Sequence, residues 1–155
     1  MIDYTKHILQ SQYEACLSML GECIRQCPAE HWEGTIGQAS FRWAAYHALF
    51  FADLYLSPNE AAFELRDLNV RGGDERKPVQ APGLPQSDAL TYVPICRQKV
   101  FESIAAETVE SLAGPSGFSW YKVTRGEMHL INIRHIQHHT GQLSAYLRKA
   151  DERLK

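Results

Sequence analysis

His135 and His139 stand four residues apart in a stretch with helical periodicity. On a helix that spacing projects both imidazoles from one face, their Cβ atoms about 6 Å apart, close enough to share one metal ion. Two ligands do not complete a site. The third expected ligand is His47, which lies in an apolar run where a histidine needs a reason to be. Three imidazoles buried together without a common partner would leave several ring nitrogens unsatisfied, a cost that a divalent cation removes. Such a donor set favours zinc, nickel, copper or iron over calcium or magnesium, which prefer oxygen. Zinc is the default, and three protein ligands leave a position open for reaction. A cation in that state lowers the pKa of a water or thiol enough to supply hydroxide or thiolate near neutral pH.

Two familiar metal patterns are absent. No histidine has a Glu three residues before it, which excludes the Glu-x-x-His pairs of di-iron bundles, and no His-Glu-x-x-His occurs. His138 points about 100° away from its neighbour His139 on the helix and reads as a surface group or one that orients the ligands. Gln142, on the same line as His135 and His139, and Tyr46, Asp53 and Tyr121 are read as groups that would support the ligands or touch a substrate. His7, His31 and His129 show no comparable pattern.

Helices must position these residues. From Asp3 to Cys27, Leu9, Tyr13, Cys16, Leu17, Leu20, Ile24 and Cys27 draw a single stripe that Pro28 stops. Ser40 can cap a second helix over 41–56, whose inward stripe is expected to be Trp43, His47, Phe50, Phe51 and Leu54. Ser57-Pro58-Asn59-Glu60 has the form of a capping box and predicts a short helix through about Leu65. A run with Gly72, Gly73, Pro78, Pro82, Gly83 and Pro85 then reads as a long crossing loop, a candidate lid. Ser87-Asp88 opens a third long helix with Leu90, Val93, Val100, Ile104, Thr108 and Leu112 inward, which Pro94 should kink or shorten and Gly114-Pro115 should end. The fourth long helix starts near Gly126 and continues to about Ala150. The expected fold is all-α: a single domain over 1–155, a four-helix bundle with a long crossover between helices two and three.

A chain of 155 residues has the size of one domain. With 16 basic and 18 acidic residues its formal charge is −2, and no basic face forms, so a nucleic-acid partner is not expected. Charges within the first helix exclude a signal peptide, and no stretch approaches the roughly 18 apolar residues of a membrane span. A cytoplasmic protein with a small-molecule substrate is expected. Cys16, Cys23, Cys27 and Cys96 are read as small buried residues of a reduced compartment, since an i, i+4 pair on a helix bridges poorly.

The segment His135-Ile136-Gln137-His138-His139-Thr140-Gly141-Gln142-Leu143 resembles the last helix of the DinB-like (DinB/YfiT) superfamily, whose usual core is His-x-x-His-His-Arg-Gly-Gln. The run from Trp43 to Tyr55 around His47 resembles the family's second helix. That resemblance implies a four-helix bundle with a long crossover, a metal, usually zinc or nickel, held by His47, His135 and His139, and a homodimer. It also implies kinship with thiol-dependent transferases that use low-molecular-weight thiols such as bacillithiol or mycothiol. Thr140 stands where the family commonly has Arg, so a substrate or partner contact made by that Arg has no counterpart there. Alternatives to an enzyme are a non-catalytic metal-binding stress-response module and a metal-free dimerising scaffold.

Overall fold

Burial on the first helix follows the expected stripe. In the computed structural model, which describes residues 1–72 and 83–152, α1 (Ile2–Gln26) buries Leu9, Tyr13, Cys16, Leu17, Leu20 and Ile24. Cys27 and Pro28 then turn extended and end it. The connection that follows holds a single 3-10 turn, Ala29–His31, and a two-residue hairpin of β1 (Thr35–Ile36) and β2 (Ala39–Ser40), with Gly37 in the left-handed region at φ 62°. Ser40 caps α2 (Phe41–Leu56) as anticipated, its side chain accepting a hydrogen bond from Trp43 N at 3.1 Å.

The second helix departs from a simple inward stripe. Fourteen of its 16 residues are buried, so it is enclosed nearly all round, and the two that are not are Trp43 and His47. Beyond it the expected short helix contracts to a 3-10 turn, Glu60–Ala62, capped by Asn59 rather than Ser57. None of its residues is buried, and so short a helix has no packing to extend it. Ser57 instead accepts a hydrogen bond from Lys99. A short helix, α3 (Asp67–Gly72), lies at the start of the expected crossing loop; residues 73–82, and with them the candidate lid, lie outside the described residues.

The third long helix, α4 (Gln86–Ala106), runs through Pro94 and buries Val93, Cys96, Val100 and Ile104. It ends earlier than expected. Thr108 caps a separate short helix, α5 (Val109–Ala113), in a capping box with Ser111, so Thr108 and Leu112 do not continue the α4 stripe. Last comes α6 (Arg125–Glu152).

The fold is all-α apart from the small hairpin. Its principal packing pairs α1 with α4 and α6, and α2 with the same two helices, while α5 lies on α6. Cys16, Cys27 and Cys96 are buried, Cys23 is half-buried, and all four are free thiols. Burial pushes the Cys16 thiol up to about 12 and Cys27 to about 11, so neither is an available thiolate. Among the described residues no helix is long and apolar enough to cross a membrane.

Candidate metal centre

The close contact of α2 with α6 brings His47 opposite the i, i+4 pair His135 and His139. One ligand nitrogen from each ring lies within 4.8 Å of the other two. Ring centroids are separated by 5.0 Å for His47 and His135, 4.7 Å for His47 and His139, and 4.6 Å for His135 and His139. Nε2 of His47 is 3.1 Å from Nε2 of His135. Three nitrogens around one ion at about 2.0–2.1 Å must sit about 2.8–3.4 Å apart for ligand angles between a right angle and tetrahedral. The spacing between His47 and His135 falls in that range.

Ring chemistry suits the same role. Burial, followed by repulsion from neighbouring rings, holds His135 down at about 3. His139 is held down at about 4 by burial and by His47, against an opposing hydrogen bond to Gln142. Both rings are therefore neutral at pH 7 and carry lone pairs. Nδ1 of His139 lies 2.8 Å from Oε1 of Gln142. Since that oxygen only accepts, Nδ1 carries the hydrogen and Nε2 is left to bind. In His135, Nδ1 is buried with no hydrogen-bond partner, and Nε2 is the nitrogen that faces His47.

Aromatic side chains wall the cluster. The Trp43 ring stacks 4.4 Å from His47, Phe51 lies 4.7 Å from His47 and 5.4 Å from His135, and Tyr55 lies 6.4 Å from His135. An apolar shell of this kind limits water and raises the strength of any charge interaction inside it. His47 and His135 nevertheless remain half-buried, and of the three only His139 is buried.

The other residues singled out in the sequence separate clearly. Gln142 contacts a ligand ring directly. His138 is exposed, its ring 5.0 Å from that of His139. Tyr46 is turned to other work, its hydroxyl donating to the Asn69 carbonyl at 3.1 Å. Asp53 is buried and held by Lys99, Arg66 and the Tyr92 hydroxyl. Tyr121 is half-buried and packs 5.7 Å from Tyr55.

Sequence reasoning passed over a second buried polar group. Arg125 opens α6, and its Nε donates to Oε1 of Glu107 at 2.9 Å. His129, one turn on, lies 3.0 Å from the same oxygen and 3.1 Å from the Tyr13 hydroxyl. Burial pushes the Glu107 carboxyl up, but hydrogen bonds from His129, Ser111 and Arg125 outweigh it and hold the group down at about 2. The spacing of Arg125 and His129 on one helical face was the available signal. No family model, curated protein or solved structure matches this chain.

Proposed function

We propose that the chain is a DinB-like four-helix-bundle metalloprotein that uses His47, His135 and His139 to hold zinc or nickel and catalyses thiol S-transfer to a small electrophile. In this reading the whole chain is one domain, the connection between α2 and α4 crosses the bundle, and the protein works in the cytoplasm as a homodimer, as the resemblance implies. The observation that carries it is the convergence of three ring nitrogens within 4.8 Å of one another in a half-open, aromatic-walled setting.

A divalent cation supplies Lewis acidity there, so that a thiol ionises near neutral pH. The chain's residues provide the rest. Gln142 fixes the proton and orientation of His139. Trp43 and Phe51 restrain His47 between their rings and keep the neighbourhood dry. The thiol loses its proton to solvent, its sulfur forms a bond to the electrophilic carbon, and the leaving group departs with the electron pair of the broken bond. No cysteine of the chain replaces the external thiol, because burial raises all four.

Elemental analysis of purified protein and of the His47→Ala, His135→Ala and His139→Ala variants tests the metal. About one zinc or nickel per chain, lost in each variant, is expected. Zinc- or nickel-loaded protein is then given glutathione, bacillithiol or a related thiol with a reactive acceptor. Turnover no faster than that of His47→Ala would overturn the enzymatic reading, and metal without turnover would favour the binding module.

A further inference from the structure

Two buried polar atoms on α6, three residues apart in the chain, have no hydrogen-bond partner: Oδ1 of Asn132 and Nδ1 of His135. Asn132 is fully buried. Its Nδ2 donates to the Ala52 carbonyl at 3.1 Å, which ties α6 to α2 and fixes the amide's orientation, because only the NH2 end can donate to a carbonyl. Oδ1 is therefore the free end. The Tyr13 hydroxyl adjoins Asn132, but its single hydrogen goes to Nδ1 of His129, whose Nε2–H faces Glu107. The other unpartnered buried atoms among the described residues, Nε1 of Trp43 and Nε of Arg97, are donors placed elsewhere. Trp43 lies nine residues before Ala52, about 13 Å along α2, and Arg97 stands on α4 against Glu14 of α1.

Metal binding changes what His135 needs. Its Nε2 faces Nε2 of His47 at 3.1 Å, so a shared ion takes that nitrogen and Nδ1 is left carrying the ring hydrogen. A buried N–H then requires an acceptor that the ion does not supply. His139 meets the same requirement through Gln142, three residues away, whose Oε1 lies 2.8 Å from Nδ1. Asn132 has that spacing from His135. Side chains on a helix lean towards its N-terminus, which carries the His135 ring over the turn that holds Asn132.

We propose that Asn132 is the positioning residue for His135: with the ion bound, Oδ1 of Asn132 accepts a hydrogen bond from Nδ1–H while Nδ2 keeps the Ala52 carbonyl. Each ligand on α6 then has an amide at three-residue spacing that fixes its binding nitrogen. The Asn132 amide also links the His135 ring to the backbone of α2, the helix that carries His47. This inference rests on the metal reading above.

Zinc affinity of the full chain, set by competition with a chelator, is compared for the wild type, Asn132→Leu and Asn132→Asp. Both variants lose the hydrogen bond to Ala52, and only Asp keeps an acceptor. Asn132→Leu should bind zinc about 10- to 100-fold more weakly, and Asn132→Asp at least as tightly as the wild type, since a carboxylate is the stronger acceptor. Equal weakening in the two would mean that Asn132 only pins α6 to α2, and would overturn the proposal. A crystal structure of the zinc-loaded wild type decides without any variant, should Asp at this buried position prevent folding. Oδ1 of Asn132 is expected within about 2.7–3.2 Å of Nδ1 of His135, and any other acceptor in that place overturns the assignment. Wild-type protein that binds neither zinc nor nickel removes the metal reading and this one together, whereas zinc held equally tightly by the wild type and Asn132→Leu removes this one alone.

Discussion

Two groups of imidazole meet at α6 and differ in what their nitrogens do. His129 is fully buried, yet both of its ring nitrogens have partners: Glu107 takes one and Tyr13 the other. Glu107 is a carboxylate, so Nε2 of His129 must carry the hydrogen and Nδ1 must accept the tyrosine O–H. Nothing is left over. In the three-histidine cluster Nδ1 of His135 has no partner, while the Nε2 atoms of His47 and His135 face each other at 3.1 Å. The facing Nε2 atoms, rather than the buried Nδ1, are the nitrogens that a shared metal would satisfy. Burial alone therefore does not distinguish a core histidine from a candidate ligand; the account of each nitrogen does.

If His129 belongs to a structural network, breaking that network should cost stability and spare metal. Arg125→Met removes the donors that satisfy Glu107 and three carbonyls, and should destabilise the fold by about 3–5 kcal/mol in urea titration. Metal content should persist in whatever fraction remains folded. His129→Leu strands Glu107 Oε1 and the Tyr13 hydroxyl less completely, because Arg125 stays, and should cost about 1–3 kcal/mol. Were either variant to lose metal while keeping full stability, the division between the two groups would fail.

The reverse pattern is expected at the cluster. Gln142→Ala should leave the melting temperature of the metal-free protein nearly unchanged and weaken zinc or nickel binding about 10- to 100-fold, measured by competition with a chelator. Unchanged affinity would show that the hydrogen bond to His139 does not set its binding nitrogen.

Acid separates the buried imidazoles from the Glu107 carboxylate. His135 and His139 have folded-state pKa values of about 3 and about 4, below the ordinary 6.5. Below pH 6.5 the unfolded chain takes up protons that the folded rings refuse, so stability rises with pH and is lost as pH falls from 6.5 towards 3. Metal-free protein should lose about 1 kcal/mol between pH 7 and pH 6. Glu107, held at about 2, contributes stability that is lost only as pH falls from 4.5 towards 2. The His135→Phe variant should shrink the loss in the first window, to which His139 and His129, both also held down by burial, still contribute, and leave the second.

Local periodicity carried much of this in the sequence. The stripes of α1 and the i, i+4 pair on α6 follow from helical geometry, and Ser40 could be recognised as a cap from its type and place. The end of α4 could not, because Thr108 keeps the apolar spacing plausible while its side chain caps a new helix. His47 shows the same limit. Its apolar neighbours suggest an inward face, but α2 is buried on nearly every side and His47 with Trp43 forms its open edge. The Glu107 network was illegible for a similar reason: its members come from four places in the chain and acquire meaning only when α1, α2 and α6 converge.

Arg125 is the first residue of α6, and its five donors are fastened to fixed acceptors on neighbouring segments. Each residue inserted into a helix turns everything beyond it by about 100° about the axis. The fastened guanidinium thus sets the azimuth of α6, and a single residue added between Arg125 and His135 would swing both imidazoles away from His47 without altering either one.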